Sequence, residues 1–130
     1  MQIQGLDHVQ PAVLAIQGML QKIDRLSLPP ASRRDLECIL IRQVTRELDR
    51  LLPWQSGHGE ATAVNVIQIG QAMGLQDAIL HQLKLAALLH DIGLLMLPAR
   101  FHTGEESLDP DSYTPIQNHP RLGSILLEPF

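Results

Sequence analysis

The stretch LAALLHDIG, residues 85–93, is the most informative part of this chain, because an apolar, helix-like run ends in His90 and Asp91. Packing gives no reason for two adjacent polar side chains at that point. Neutral imidazole and ionised carboxylate together suit a divalent first-row metal. Another histidine, His58, stands at the start of the preceding periodic segment. The pattern therefore indicates a metal site where two helix ends meet.

Length, composition and charge limit the class of protein. A chain of 130 residues forms one domain, or a small domain with a helical extension. With 45% hydrophobic but only 3% aromatic residues, its core is expected to be aliphatic. The net charge of -4 and the lack of a basic block argue against a nucleic acid partner. The lone Cys38 excludes an intrachain disulfide, and no signal peptide or membrane-spanning run is visible, so we expect a cytoplasmic protein with no membrane partner.

Apolar residues recur at spacings of three and four along most of the chain, which predicts an all-α fold. The expected helices cover 9–26, 31–52, 58–73, 77–90, 111–118 and a last segment from 119. Pro29-Pro30 separates the first two helices, and Gly74 ends the third. Asp77 is the expected N-cap of the fourth helix, which we expect to be largely buried. A loop with one or two short turns should follow, and Pro115 should begin or interrupt the short helix.

The third and fourth helices are predicted to form an antiparallel hairpin. Each is about 24 Å long at a rise of about 1.5 Å per residue, and the short turn at Gly74 joins them. Because the two helices have equal length, the start of the third helix lies beside the end of the fourth. His58 and His90 therefore fall at the same end of the hairpin. His119, at the start of the last helix, can approach that end after the long loop.

Two imidazoles and one carboxylate can hold one metal ion and leave positions open for water and substrate, while a shared aspartate can bridge a second ion. A metal-bound water loses its proton near neutral pH, and a two-metal site can stabilise the attacking and leaving oxygens of a phosphoester. The alternative is that these histidines are ordinary surface or capping residues. The spacing leaves that alternative open for the set of four, and it is our expectation for His8, His81 and His102.

The motifs around these residues resemble one known family. The segment GHGEATAVNVIQIGQAMGL…LKLAALLHDIG…LP…NHPRLGSILL is similar to the HD superfamily of metal-dependent phosphohydrolases, in its HD-GYP branch, which reads GHSxRVA, LLHDIGK, IPD and MKxHPxxGaxIL. His58 matches the first histidine, His90-Asp91 the dyad, and His119 the histidine before the proline. The stretch LLPWQSGH is similar to the family's RDPYTxGH. The resemblance runs from about position 48 to about position 127.

The resemblance implies an HD-domain helical bundle with a five-helix core and a di- or trinuclear site for iron or manganese, with magnesium, nickel or zinc as alternatives. The implied metal ligands are His58, His90, Asp91 and His119. Asp91 is also the implied metal bridge and catalytic residue. Members of the branch hydrolyse cyclic di-GMP or related cyclic dinucleotides to linear products in bacterial signal transduction. The implied partner is therefore a cyclic dinucleotide or another phosphoester.

Several positions depart from the family pattern. Leu94 replaces the lysine after HDIG, Ala61 the arginine after the first histidine, and Ala99 the aspartate of IPD. The family's further histidines, late aspartate and GYP motif lie downstream of the HP histidine, and this sequence ends at Phe130. We therefore expect either a fragment of a longer protein or a degenerate domain. These departures argue against efficient catalysis by this polypeptide as given, and a degenerate site would hold no metal.

Two functions of different classes follow. In the first, the chain belongs to a cyclic-dinucleotide phosphodiesterase; in the second, it is a non-catalytic signalling or protein-interaction module. A general HD nucleotide phosphohydrolase is a further alternative, as is a fold that has kept its ligands by chance. We divide the chain into an amino-terminal helical hairpin, 1–52, which packs on the core, forms a homodimer or links to a sensor, and an HD-type domain, 53–130, incomplete at its carboxyl end. Trp54 is expected to anchor packing before the hairpin, and Cys38 to be buried.

Overall fold

The computed structural model describes residues 25–104 and 109–128, together with positions 14, 18, 21 and 22. Within these residues every regular element is helical, which confirms the all-α fold. The α-helices are α1 (Pro30–Leu51), α2 (His58–Ala72), α3 (Asp77–Leu89), α4 (Pro110–Gln117) and α5 (His119–Leu127). Short 3₁₀ helices occupy Pro53–Gln55, Ile92–Met96 and Ala99–His102. Of the helix expected at 9–26, positions 14, 18, 21 and 22 are helical, whereas 25 and 26 are not. The rest of it lies outside the described residues, and so does the hairpin it would form.

Helix α1 supplies one wall of the core. It begins at Pro30, one residue before the expected start, because proline fits the first helical turn, where no amide donor is needed. Its second half turns one face inward, with Ile41, Val44 and Leu48 all buried. Leu52, just beyond the helix, is also buried, and its amide donates to the Leu48 carbonyl at 2.8 Å. Cys38, expected to be buried, is only half-buried on the first half of the helix.

Helices α2 and α3 form the predicted antiparallel hairpin. The turn between them contains Gly74 at φ 72°, a left-handed conformation that glycine adopts without strain. Asp77 is the first residue of α3 rather than its N-cap; Gln76 holds the cap position in extended backbone and makes no side-chain capping bond. The Asp77 carboxylate still lies in the first turn, where it complements the partial positive charge of the helix amino terminus.

Burial of α3 is less complete than the sequence predicts. Leu80, Ala87 and Leu88 are buried, but Ile79 is 44% exposed and Ala86 is exposed. The reason is that α2 packs on one side of α3 and α1 on another, which leaves a third side open. The stretch Asp77–Met96 is also long and apolar enough to cross a membrane by composition alone, with a mean hydropathy of 1.3. In this fold it comprises α3 and the 3₁₀ turn after it, and 39% of its most apolar part is buried.

The 3₁₀ turn Ile92–Met96 lies at the centre of the molecule. Its buried side chains join those of α1 and α5 in the main aliphatic cluster, which contains Val44, Leu48, Leu52, Ile92, Leu94, Leu95, Leu97, Phe101 and Leu126. Helix α5 packs directly on this turn. A Cβ atom at Gly93 would lie 1.9 Å from the His119 carbonyl oxygen and 2.5 Å from the Gly123 nitrogen. Only a glycine at position 93 therefore lets α5 lie this close.

The long loop is more regular than expected. It contains the 3₁₀ turn Ala99–His102, and α4 begins at Pro110 and continues through Pro115 to Gln117 without interruption. Pro115 cannot donate to the Asp111 carbonyl, but Asp111 is exposed, so water can satisfy that oxygen. His102 is buried and its Nε2 donates to the Leu94 carbonyl at 3.0 Å, so the expectation of an ordinary loop histidine was wrong.

Candidate metal centre

The structure brings all four predicted site residues together at one end of the α2–α3 hairpin. The Nε2 atoms of His58 and His90 lie 3.2 Å apart. Oδ2 of Asp91 lies 3.1 Å from Nε2 of His90 and 3.5 Å from Nε2 of His58. The other carboxylate oxygen, Oδ1, lies 3.2 Å from Nε2 of His119. Ligand atoms of His58, His90 and Asp91 all fall within 4.8 Å of one another, a spacing that can hold a metal ion.

Helix ends place these side chains. His58 is the first residue of α2, after Gly57 at φ 77°, and His90 follows the last residue of α3, so the hairpin sets them level as predicted. Asp91 has φ -100° and ψ 5°, where the chain leaves α3 for the 3₁₀ turn. His119 opens α5, which the close contact at Gly93 fixes against that turn.

Two of the histidines are oriented by the same local device. Nδ1 of His90 contacts the Ala87 carbonyl at 2.7 Å, and Nδ1 of His119 contacts the Ile116 carbonyl at 2.7 Å. A carbonyl oxygen only accepts, so in both rings Nδ1 carries the proton and donates it. In the neutral ring Nε2 is then left with a lone pair, as in metal-ligating histidines. Both Nε2 atoms lie close to an Asp91 carboxylate oxygen, at 3.1 Å for His90 and 3.2 Å for His119.

The electrostatics of this cluster require a positive charge. With Nδ1 donating elsewhere, Nε2 of neutral His90 and Nε2 of neutral His119 can only accept, and so can the Asp91 oxygens that lie 3.1 Å and 3.2 Å from them. These two contacts are favourable only with a cation between the paired atoms, such as a metal ion. Imidazole nitrogen and carboxylate oxygen together are suitable ligands for divalent first-row metals, so these residues fit such an ion. Asp91 is 16% exposed and His58 is 48% exposed, so the cluster is open to solvent on the His58 side.

Sequence reasoning missed Gln55, which belongs to this cluster. Its side-chain Nε2 donates to Oδ2 of Asp91. Gln55 lies at the end of the 3₁₀ helix Pro53–Gln55, in the stretch LLPWQSGH already singled out before His58. The resemblance of this segment to the family pattern thus indicated the right region of the chain. Residue spacing alone could not show which side chain of the segment turns toward Asp91.

The loop that carries Gln55 is held on both sides. Trp54 donates from Nε1 to the His102 carbonyl at 3.0 Å, so the indole anchors this loop to the 3₁₀ turn Ala99–His102 although its ring is half-exposed. The Gly57 amide donates to Oδ1 of Asp49 at 3.1 Å, which ties the residue before His58 to α1. These bonds fix the entry of α2 and with it the position of His58.

The three departures from the family pattern fall in different surroundings. Leu94 is 8% exposed and packs in the main aliphatic cluster, whereas Ala61 and Ala99 are exposed. Of the histidines expected to be ordinary, His81 is half-buried, with Nε2 3.6 Å from Oε2 of Glu37, and lies outside the cluster. His8 lies outside the described residues.

Comparison with known proteins agrees with the motifs. The HD domain family matches residues 42–130. The 3'3'-cGAMP-specific phosphodiesterase 3 of Vibrio cholerae serotype O1 (strain ATCC 39315 / El Tor Inaba N16961) is 32% identical over 100 residues, which cover 72% of this chain and 22% of that protein. This chain thus spans about a fifth of the length of the curated relative it matches. A comparison with solved structures gave no match. The chain therefore belongs to the HD superfamily of phosphohydrolases, in an HD-GYP-like branch.

Proposed function

We propose that this chain is the metal-binding part of a phosphodiesterase that hydrolyses a cyclic dinucleotide. The observation that carries the proposal is the Asp91 carboxylate held between imidazole Nε2 atoms on both of its oxygens. The fold family is one of metal-dependent phosphohydrolases, and the relative is named for a cyclic-dinucleotide phosphodiesterase activity. The cleavage of a phosphoester by activated water is the chemistry that best fits this cluster.

Asp91 would act as the bridge between two ions. Its Oδ2 faces His58 and His90, which would hold the first ion, and its Oδ1 faces His119, which would contribute to a second. Iron or manganese fits the mixed donors, with magnesium, nickel or zinc as alternatives. When bound, such ions supply a deprotonated water at neutral pH and stabilise the charge that develops on the phosphoester oxygens.

The chain's own residues would set the geometry of that reaction. The Ala87 and Ile116 carbonyls hold the rings of His90 and His119 with their lone pairs inward. The exposed side of the cluster, at His58, is where a phosphoester would approach. Cyclic di-GMP and 3'3'-cGAMP are the substrates we propose, the first from the motif resemblance and the second from the relative's name.

A second candidate is a non-catalytic HD module that binds a protein partner or a metal without turnover. The burial of Leu94 favours it, because a side chain packed in the aliphatic cluster offers no cation to a substrate phosphate at this position. The first 52 residues, as a homodimer or sensor-linking segment, would then carry the signal. Cytoplasmic localisation is part of both proposals.

One experiment separates these candidates. Metal-free protein is loaded with Mn²⁺ or Fe²⁺, its metal content is measured by elemental analysis, and hydrolysis of cyclic di-GMP and 3'3'-cGAMP is followed by chromatography. For the unaltered protein we expect bound metal and linear products. Asp91→Asn should lose both, and His119→Ala, which keeps the first ion, should show a lower metal-to-protein ratio. His81→Ala, a histidine outside the cluster, serves as the control.

Two results would contradict the proposed phosphodiesterase activity. Bound metal without turnover of either dinucleotide would favour the non-catalytic module. Metal content that is the same in Asp91→Asn as in the unaltered protein would exclude the cluster as the metal site, and the phosphodiesterase proposal with it.

A further inference from the structure

Gln55 touches the candidate metal centre without matching any of the motif's metal ligands. Its amide group lies beside Asp91, and Nε2 donates to Oδ2, the same oxygen that faces His58 and His90. A neutral amide can donate to this carboxylate without adding charge. Gln55 is therefore placed to control how Asp91 presents its oxygens.

The orientation of the Gln55 amide follows from its surroundings. If the amide were turned over, Oε1 would face the Asp91 carboxylate, and two acceptors would oppose each other. In the present orientation Oε1 is buried and has no hydrogen-bond partner among the described residues. Gln55 also lines a cavity of about 20 Å³, together with Thr45, Asp49, Leu52, His58 and Asp91.

Gln55 is held rigidly enough to act on Asp91. Its backbone amide donates to the Leu52 carbonyl at 2.9 Å, and Leu52 is buried in the core. The neighbouring Trp54 is tied to His102, and Gly57 to Asp49. A donor on so firmly anchored a loop restricts rotation of the Asp91 carboxylate about its terminal torsion, which is otherwise broad.

We propose that Gln55 is a positioning residue that fixes the Asp91 carboxylate for metal binding, an inference that rests on the proposed function of Asp91 as a metal ligand. The bond keeps Oδ2 toward His58 and His90, and thereby keeps Oδ1 toward His119. Hydrogen bonds to a ligating carboxylate act on metal affinity through its orientation, and their loss typically weakens binding about 10- to 100-fold. The amide acts through Asp91 and does not itself hold the metal.

The test compares Gln55→Met with the unaltered protein by calorimetric titration of the metal-free protein with Mn²⁺. Methionine keeps the length and volume of the side chain but removes the donor, so Mn²⁺ affinity should fall about 10- to 100-fold. The melting temperature of the metal-free protein should not fall, because the buried, unpartnered Oε1 is removed as well. Gln55→Asn, one methylene shorter, should show the same loss of affinity because its amide no longer reaches Asp91.

Ser56→Ala, an exposed neighbour on the same loop, is the matched control and should bind Mn²⁺ as the unaltered protein does. Unchanged affinity in Gln55→Met, when Asp91→Asn has lost binding, would overturn this inference and leave the proposed function standing. A fall in affinity matched by a fall in the melting temperature of the metal-free protein would show a packing role and also overturn it. If Asp91→Asn binds Mn²⁺ normally, the proposed function fails first.

Discussion

At the residue scale, the candidate site is built from a repeated local arrangement rather than from unusual side chains. His90 and His119 each follow a helical turn, and the carbonyl oxygen three residues earlier accepts a hydrogen bond from the ring's Nδ1–H. A histidine at a helix end can therefore be oriented by its own backbone, and its Nε2 lone pair then projects beyond the helix. Two such ends meet at Asp91, which explains why adjacent polar residues close an apolar run.

The position after HDIG shows how burial changes the meaning of a substitution. The family pattern has lysine there, and the sequence suggested only that a phosphate-binding cation is absent. In the structure Leu94 is part of the aliphatic cluster, and its carbonyl accepts the bond from His102. Position 94 in this chain thus serves packing, and its side chain does not reach the candidate site.

We expect Leu94→Lys to destabilise the protein rather than restore activity. An ammonium group in the aliphatic cluster has no partner there, and burial of an unpaired charge should lower the free energy of unfolding by about 3 kcal/mol. Ala61→Arg, which restores the other family cation at an exposed position, should change it by no more than about 0.5 kcal/mol. Urea denaturation followed by circular dichroism measures both, and equal stability of the two variants would contradict this account of position 94.

At the element scale, the hairpin and the last helix were predictable to different degrees. The α2–α3 hairpin follows from two periodic segments of equal length joined by a short turn. The sequence therefore predicted that His58 and His90 lie at the same end of the hairpin. The approach of His119 could not, because a loop of that length fixes no direction. What fixes it is the packing of α5 on the turn at Gly93, a backbone contact that leaves no trace in hydrophobic periodicity.

Gln55 and α3 illustrate two further limits of the sequence. Gln55 turns toward Asp91 because it is the last residue of a three-residue 3₁₀ helix, and short helices of this kind have no periodic pattern. The apolar residues of α3 predicted a largely buried helix, yet Ile79 lies on the side that neither α1 nor α2 covers. Periodicity indicates which face is apolar, whereas coverage depends on how many neighbours pack on it.

The contact between Gly93 and α5 predicts unequal effects of two glycine substitutions. A methyl group at position 93 would overlap backbone atoms at 1.9 Å and 2.5 Å, so Gly93→Ala should displace α5 and cost about 3 kcal/mol of stability. At Gly123 the nearest atoms are 3.3 Å away, and alanine favours the helix by about 1 kcal/mol over glycine, so the net change should be close to zero.

Thermal denaturation and metal content test this pair together. Because α5 carries His119, Gly93→Ala should lower both the melting temperature and the metal-to-protein ratio, while Gly123→Ala should leave both near those of the unaltered protein. Similar losses in the two variants would mean that the close contact at Gly93 does not hold the last helix in place.

At the scale of the whole molecule, the core joins parts of the chain that the sequence analysis divided at residue 52. Val44, Leu48 and Leu52 pack with Ile92 and Leu126, so the second half of α1 shares one aliphatic cluster with the turn after HDIG and with α5. The HD domain family likewise matches from residue 42, inside α1. The sequence could not show this, because the amphipathic pattern of α1 fits packing on the core and helix pairing equally well.

Shortening the chain from its amino terminus should therefore reveal a sharp limit. A chain of residues 30–130 keeps all of α1 and should unfold cooperatively, with metal binding retained. A chain of residues 53–130 loses the buried side chains Val44, Leu48 and Leu52, each contributing roughly 1.5–3 kcal/mol. The sum is comparable to the roughly 5–15 kcal/mol that stabilises a whole domain. Urea denaturation and heteronuclear NMR spectra decide the matter: cooperative unfolding and dispersed resonances in 53–130 would show that α1 is dispensable for the fold.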